Sequence, residues 1–73
     1  MKEVKELMNR LKDRRRKRGV SAEEIRREVG IAYAHLSRIE SGIVDIKLST
    51  LFRYLNAIGY KLKIIKKEAE DDK

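Results

Sequence analysis

Seventy-three residues with 19 Lys and Arg against 12 Asp and Glu, a net charge of +7, describe one small basic domain with no room for a separate catalytic cleft. There is no cysteine and a single histidine, which excludes disulfides, thiolate metal sites and cysteine nucleophiles and leaves no zinc site without carboxylate help. No apolar run approaches the roughly 20 residues that span a bilayer, and the N-terminal MKEVKELMNR is charged rather than signal-like, so a soluble cytoplasmic protein is expected.

The charge is unevenly placed. Residues 10–18, RLKDRRRKR, hold seven basic side chains against one acid, while acids gather at Glu68, Glu70, Asp71 and Asp72. The basic run serves either as a phosphate-facing patch or as a solvated helix end whose cations complement the negative pole of the helix dipole. A basic surface of this kind concentrates polyanions and makes their binding salt-dependent.

In chain order, Val4, Leu7, Met8 and Leu11 carry the i, i+3, i+4, i+7 spacing of one helical face, which predicts a helix over Met1 to Arg18, closed by Gly19. The stripe continues at Arg15, so a guanidinium is aimed toward the core and needs a carboxylate partner. Ser21 with Glu24 forms an S-x-x-E capping box that opens a second helix, with Ala22, Ile25 and Val29 on one side and Gly30 as its stop. A helix that short is unstable alone and must dock on its neighbours. A third helix is predicted from Ala32 to Glu40 or Ser41, with Ala32, Leu36 and Ile39 inward and Gly42 as its stop. Its outward face holds Ala34, Ser37, Arg38 and Ser41, flanked by Tyr33 and His35.

After a loop from Gly42 to Lys47, the residues Leu48, Leu51, Phe52, Leu55 and Ile58 mark a fourth helix, capped by Ser49 or a neighbour and closed at Gly59. Its wide apolar stripe makes it the expected floor for the other three. Tyr60 to Ile64 alternates apolar and basic residues and reads as a short strand. A strand needs a partner edge, supplied by a second subunit; the other reading is a terminal helix using Leu62, Ile65 and Ala69. The fold class is therefore mainly α, a compact four-helix domain over residues 1–66 with a short C-terminal strand, followed by a charged, frayed tail over 67–73.

Two short helices about one glycine form a helix-turn-helix pattern, in which the second helix enters the DNA major groove and the first lies across the backbone. The line from Leu11 to Leu62, L-x-x-x-R-x-x-x-G-V-S, E-E-I, V-G-I, L-S-R-I-E-S-G and L-S-T-L-x-x-Y-L-x-A-I-G-Y-K-L, resembles the Cro and phage-repressor-like (XRE) helix-turn-helix family. The ending LSTLFRYLNAIGYKLKI looks most like small antitoxin-type regulators whose last helix leads into a strand.

The resemblance implies a lambda-repressor-like fold and a set of roles. Arg15 and Glu40 occupy the positions of the family's ion pair, in agreement with the interrupted stripe. Tyr33, Ala34, Ser37 and Arg38 take the base-reading positions, with Ala32 at the margin. Arg38 can fork to guanine, Ala34 can touch a thymine methyl, and Ser37 can reach either base type or a phosphate. Ser21, Ala22 and Ser41 correspond to phosphate contacts through amides and hydroxyls, with His35 at most touching the backbone. Arg14, Lys17, Arg18, Arg27 and Lys47 supply the longer-range electrostatics.

The chain departs from the family pattern at three places. Arg26 stands where the family has a small residue between the motif helices, so either the two helices are spaced differently or Arg26 bends out over an apolar surface, in the direction of a phosphate. Ala32 offers no cap. Ile43, Val44 and Asp45 replace a basic loop and could meet a partner subunit. Absence of Pro, Cys, Trp and Gln, with many Lys, Arg, Glu and Ile, also resembles computationally designed sequences.

The function implied is sequence-specific binding of double-stranded DNA, of transcriptional-repressor type or by design, with no catalysis, cofactor, metal, membrane or small-molecule partner. A monomer is expected if designed, and a homodimer, nucleoid-associated, if natural. The alternatives are an antitoxin-like subunit that dimerises through the C-terminal strand and a nonspecific basic binder of RNA or acidic membranes.

Overall fold

Val4, Met8, Leu11 and Arg15 recur at helical spacing, and the computed structural model, which describes residues 2–67, places them on one side of α1, Lys2–Lys17. Three more helices follow: α2 (Ala22–Val29), α3 (Tyr33–Glu40) and α4 (Leu48–Ala57). On α1, Met8, Leu11 and Arg15 are buried and Val4 is half-buried. Leu7 lies at the margin of this stripe and is 40% exposed, so it adds little to the core.

Helix endings are set locally. Val20 N–H reaches Arg15 O and Gly19 N–H reaches Arg16 O after α1, and the same pair of bonds closes α3 (Ile43 to Arg38, Gly42 to Ile39) and α4 (Tyr60 to Leu55, Gly59 to Asn56). These are Schellman closures, which satisfy carbonyls that a helix end leaves open. Glycine at 42 has a second reason: φ is +74°, and a Cβ there would lie 2.7 Å from Lys5 Cα, so the α1 backbone presses on the end of α3.

The two motif helices, α2 and α3, pack on each other, α1 lies on α3, and α2 lies on α4. α4 is thus not a floor under all three helices; it seats mainly α2. Its buried residues, Leu51, Tyr54 and Leu55, continue into Ile58 at i, i+3, i+4, i+7, while Phe52 falls off that stripe and Leu48 is the first residue of the helix, and both stay exposed. Ile25, Val29, Leu36 and Ile39 complete the core with Met8 and Leu11. Burying side chains of this size contributes about 1.5–3 kcal/mol each before entropic costs, which is what holds two helices too short to persist alone.

Three local expectations are corrected. Ser49 lies inside α4 and caps nothing; Lys47 holds the N-cap position without a side-chain bond. Ala32 is exposed rather than inward, because it precedes the first turn of α3 in an extended conformation (φ −70°, ψ 149°). The strand expected over Tyr60–Ile64 is not formed among the described residues, where positions 60–66 take no regular secondary structure. A strand is held by ladder hydrogen bonds to a neighbouring edge, and four helices offer none. The alternative terminal helix does not form at Leu62 and Ile65 either, and Ala69 lies outside the described residues, as does the tail beyond Lys67.

Candidate nucleic-acid interface

The inner side of α3 ends in a buried polar cluster. Arg15 Nε donates to Glu40 Oε2 at 2.8 Å and Nη2 to Oε1 at 3.1 Å, a two-pronged guanidinium–carboxylate pair. Arg15 Nη1 also donates to Val20 O at 2.8 Å, and Tyr54 Oη donates to Glu40 Oε2 at 2.5 Å. Among the described residues no buried side-chain nitrogen or oxygen is left without a partner. One carboxylate therefore joins α1, α3 and α4.

Burial alone would lower the Arg15 pKa, and the hydrogen bonds and charge of Glu40 outweigh it, so the guanidinium is held above its ordinary value. Burial first, and then the Glu40 carboxylate, push the Tyr54 phenol up from its ordinary value. Breaking such a cluster by removing one member strands a buried charge, which is more damaging than the pair itself is stabilising.

The outer side of α3 begins after the turn at Gly30 (φ +79°), which Ile31 and Ala32 complete. Tyr33, Ala34, His35, Ser37 and Arg38 are all exposed on this helix. They do not form one uniform face. Tyr33 and Ser37 line a recess of about 140 Å³ with Lys12, Arg16 and Ala22, floored by Leu36, Arg15 and Glu40. Ala34 and Arg38 lie one residue further round, about 100° away on a 3.6-residue helix, and point clear of it.

The residues expected at phosphates are variously engaged. Ser21 Oγ accepts from Glu24 N–H at 3.1 Å while Glu24 Oε1 accepts from Ser21 N–H at 2.8 Å, a complete capping box that leaves the Ser21 hydroxyl proton free to donate. Ala22, half-buried, starts α2 beside it. Ser41 donates its hydroxyl to Ser37 O at 2.9 Å, and its amide to the same carbonyl at 3.0 Å, so both of its donors are taken within α3.

Among the cations, Arg14 and Lys17 share Asp13, at 3.6 and 3.3 Å, and Arg27 stands 3.7 Å from Glu23. The Arg18 guanidinium lies across Gly59, its Nη2 2.6 Å from where a Cβ would stand, at the negative end of α4. Lys47 is exposed at the start of α4, and His35 is exposed on the flank of α3.

Arg26 does not bend out toward a phosphate. Its Nε and Nη2 donate to Glu23 at 3.1 and 2.7 Å, and Nη1 reaches Ile31 O at 3.5 Å, so it bridges its own helix to the turn. The hydrogen bonds from Arg26 hold the Glu23 carboxyl below its ordinary range. In the loop after α3, Val44 and Ile46 pack against the core, and Ile43 is 74% exposed.

Three residues escaped the sequence reading. Tyr54 was hidden because an aromatic at helical spacing reads as ordinary core. Lys12 and Arg16 were hidden in a run of seven cations, although they flank Arg15 on the helical wheel and so must border whatever Arg15 faces. No cluster of His, Asp or Glu that could hold a metal occurs among the described residues, and no described helix is long and apolar enough to cross a membrane.

Two short helices meeting at a left-handed glycine, the second with a buried inner edge and an exposed polar outer face, define a DNA-binding helix-turn-helix domain. A helix-turn-helix family model matches residues 11–65, and the chain belongs to that family, of the XRE/Cro type. No curated protein and no solved structure matches the chain.

Proposed function

We propose that the protein binds double-stranded DNA sequence-specifically, with α3 in the major groove, as a transcriptional-repressor-type or designed binder acting in the cytoplasm over a domain of residues 1–66. The observation that carries this reading is the asymmetry of α3. Its inner end is locked to α1 and α4 through Glu40, while Arg38 and Ala34 project from its outer side. A rigid helix bearing an exposed guanidinium is what base readout requires, since a bidentate contact to guanine tolerates little misplacement.

Arg38→Ala is the direct test. Loss of preference at one or two base pairs by about 1–3 kcal/mol each is expected in a duplex selection, and an equal loss on every sequence would overturn the reading. The composition supports a designed origin, for which a monomer is the expected state.

One observation favours a second reading, a homodimer joined through the C-terminal segment. Leu62, Ile64 and Ile65 are 46, 99 and 62% exposed, apolar side chains that the described residues cover only in part. Sedimentation distinguishes the two: a dimer that persists on dilution and is lost in Leu62→Lys supports it, and a monomer at all concentrations removes it.

A further inference from the structure

We propose that the recess between α1 and α3 seats one backbone phosphate of the bound duplex, held by Lys12 and Arg16, and that Tyr33 and Ser37 belong to this seat rather than to base reading. The proposal rests on the DNA-binding reading above and divides the outer face of α3 into two parts with different tasks.

The charge pattern is the first support. Lys12 and Arg16 stand four residues apart on α1, where like charges repel and weaken the helix. Among the described residues neither has an acidic partner, whereas Arg14 and Lys17 share Asp13, and Arg26 and Arg27 share Glu23. The acid within the recess, Glu40, is already taken by Arg15 and Tyr54. The rim is thus left with a cationic pair that no acid among the described residues compensates.

Donor chemistry is the second. Tyr33 and Ser37 face the two cations across about 140 Å³, and each carries a hydroxyl. Four side chains lining one small concavity, with a guanidinium, an ammonium and two hydroxyls between them, match the several acceptor oxygens of a phosphodiester, and a purine edge, with one or two acceptors in a plane, does not use them all. Ala34 and Arg38, turned away from the recess, are left to meet base edges. Helix α1 therefore takes part in positioning the protein on the strand, and contacts of that kind set affinity and register without carrying sequence information.

The test combines Lys12→Gln with Arg16→Gln and measures duplex affinity over a salt series. Emptying a seat for one phosphate should reduce the magnitude of the slope of log K against log salt by about 0.9 while base preference stays as in the parent protein. Lys61→Gln with Lys63→Gln removes the same charge elsewhere, and its slope should move by less than half as much. Because the Lys12 and Arg16 changes relieve a repulsion, the variant's thermal midpoint should equal or exceed the parent's, which separates lost contact from lost fold. Tyr33→Phe and Ser37→Ala should each weaken all duplexes alike.

A slope unchanged in the Lys12/Arg16 variant, or a shifted base preference in Tyr33→Phe or Ser37→Ala, overturns the proposal while leaving DNA binding intact. A parent protein that binds no duplex, yet whose Ala22 and Ser37 amide resonances move with inorganic phosphate, removes the DNA reading and keeps the recess as an anion site.

Discussion

The two motif helices have the same length, eight residues each, and are held in opposite ways. α2 carries its own start signal in the reciprocal Ser21–Glu24 cap, and it lies on α4 with Ile25 and Val29 buried in the core. α3 has Ala32 at its N-cap with no side-chain bond, and its last residue, Glu40, is tied to Arg15 of α1 and Tyr54 of α4. The first is anchored from its beginning and by short-range bonds; the second from its end and across the fold. An uncapped first turn leaves backbone amides unclaimed at the end of α3 proposed to meet the groove, and the burden of orienting the helix passes to the buried carboxylate.

That contrast can be broken at several points. The largest effect is expected for Glu40→Ala, which strands Arg15 in the core: a loss of about 3–5 kcal/mol in urea unfolding, against which a loss of a few tenths would show that the pair is solvated and α3 held otherwise. Tyr54→Phe removes one hydrogen bond to the same carboxylate and should cost about 1.5–3 kcal/mol, in the range for bonds to charged groups.

The same substitution has a pH signature. Tyr54 has its pKa raised in the folded state, so its contribution is fully present below the unfolded value and is lost as pH rises from there toward the folded pKa. Above about pH 10, stability should fall with a slope of up to about 1.4 kcal/mol per pH unit from this group, and Phe at 54 should remove that part of the slope. An identical alkaline slope in both proteins would mean that Tyr54 is not the group responsible.

Smaller effects come from the helix starts. Ser21→Ala should cost about 1 kcal/mol by removing the cap of α2, and Ala32→Ser should add a similar amount by supplying the cap that α3 lacks. Should Ala32→Ser also reduce DNA affinity, the open first turn has a binding use; a stabilised variant with unchanged affinity would assign the amides to solvent. The smallest effect belongs to Arg26→Ala, since both Arg26 and Glu23 face water and such pairs contribute little. Glu23 has a lowered folded pKa, so whatever it contributes is present above its unfolded value and fades as pH falls through the folded one. A melting temperature that moves little in Arg26→Ala, and only above the acid limb, is the expected result.

Much of the fold was legible because it is written in short separations. The glycine stops, the Ser21–Glu24 box and the burial of Met8, Leu11, Ile25, Val29, Leu36 and Ile39 all follow from spacings within one or two turns. Arg15 was legible as a charge on the wrong side of α1, and the structure has it on Glu40. Phe52 and Tyr54 show the limit: the apolar stripe read on α4 included Phe52 and left out Tyr54, and only the packing of the other helices against α4 decides that Tyr54 is buried and Phe52 is half exposed.

The candidate interface was less legible than the helices that carry it. In a run such as RLKDRRRKR every cation looks alike; whether one meets Gly59, Glu40 or open solvent depends on where α1 lies against α3 and α4. Arg26 likewise has several partners within reach along the chain, and the turn at Gly30 brings Ile31 O to it.

The sequence by itself determined four helices, their glycine stops and the two-helix motif, because these depend on hydrogen bonds spanning three to five residues and on a 3.6-residue repeat. The tertiary structure alone decided that Tyr54 completes the cluster on Glu40, that Lys12 and Arg16 border a recess with Tyr33 and Ser37, and that residues 60–66 find no edge to join. Those outcomes turn on contacts between residues 14 or more positions apart, such as Tyr54 with Glu40 and, at 25, Arg15 with Glu40. Such pairs meet only once the helices have packed, and no local pattern encodes the direction from which a neighbour will arrive.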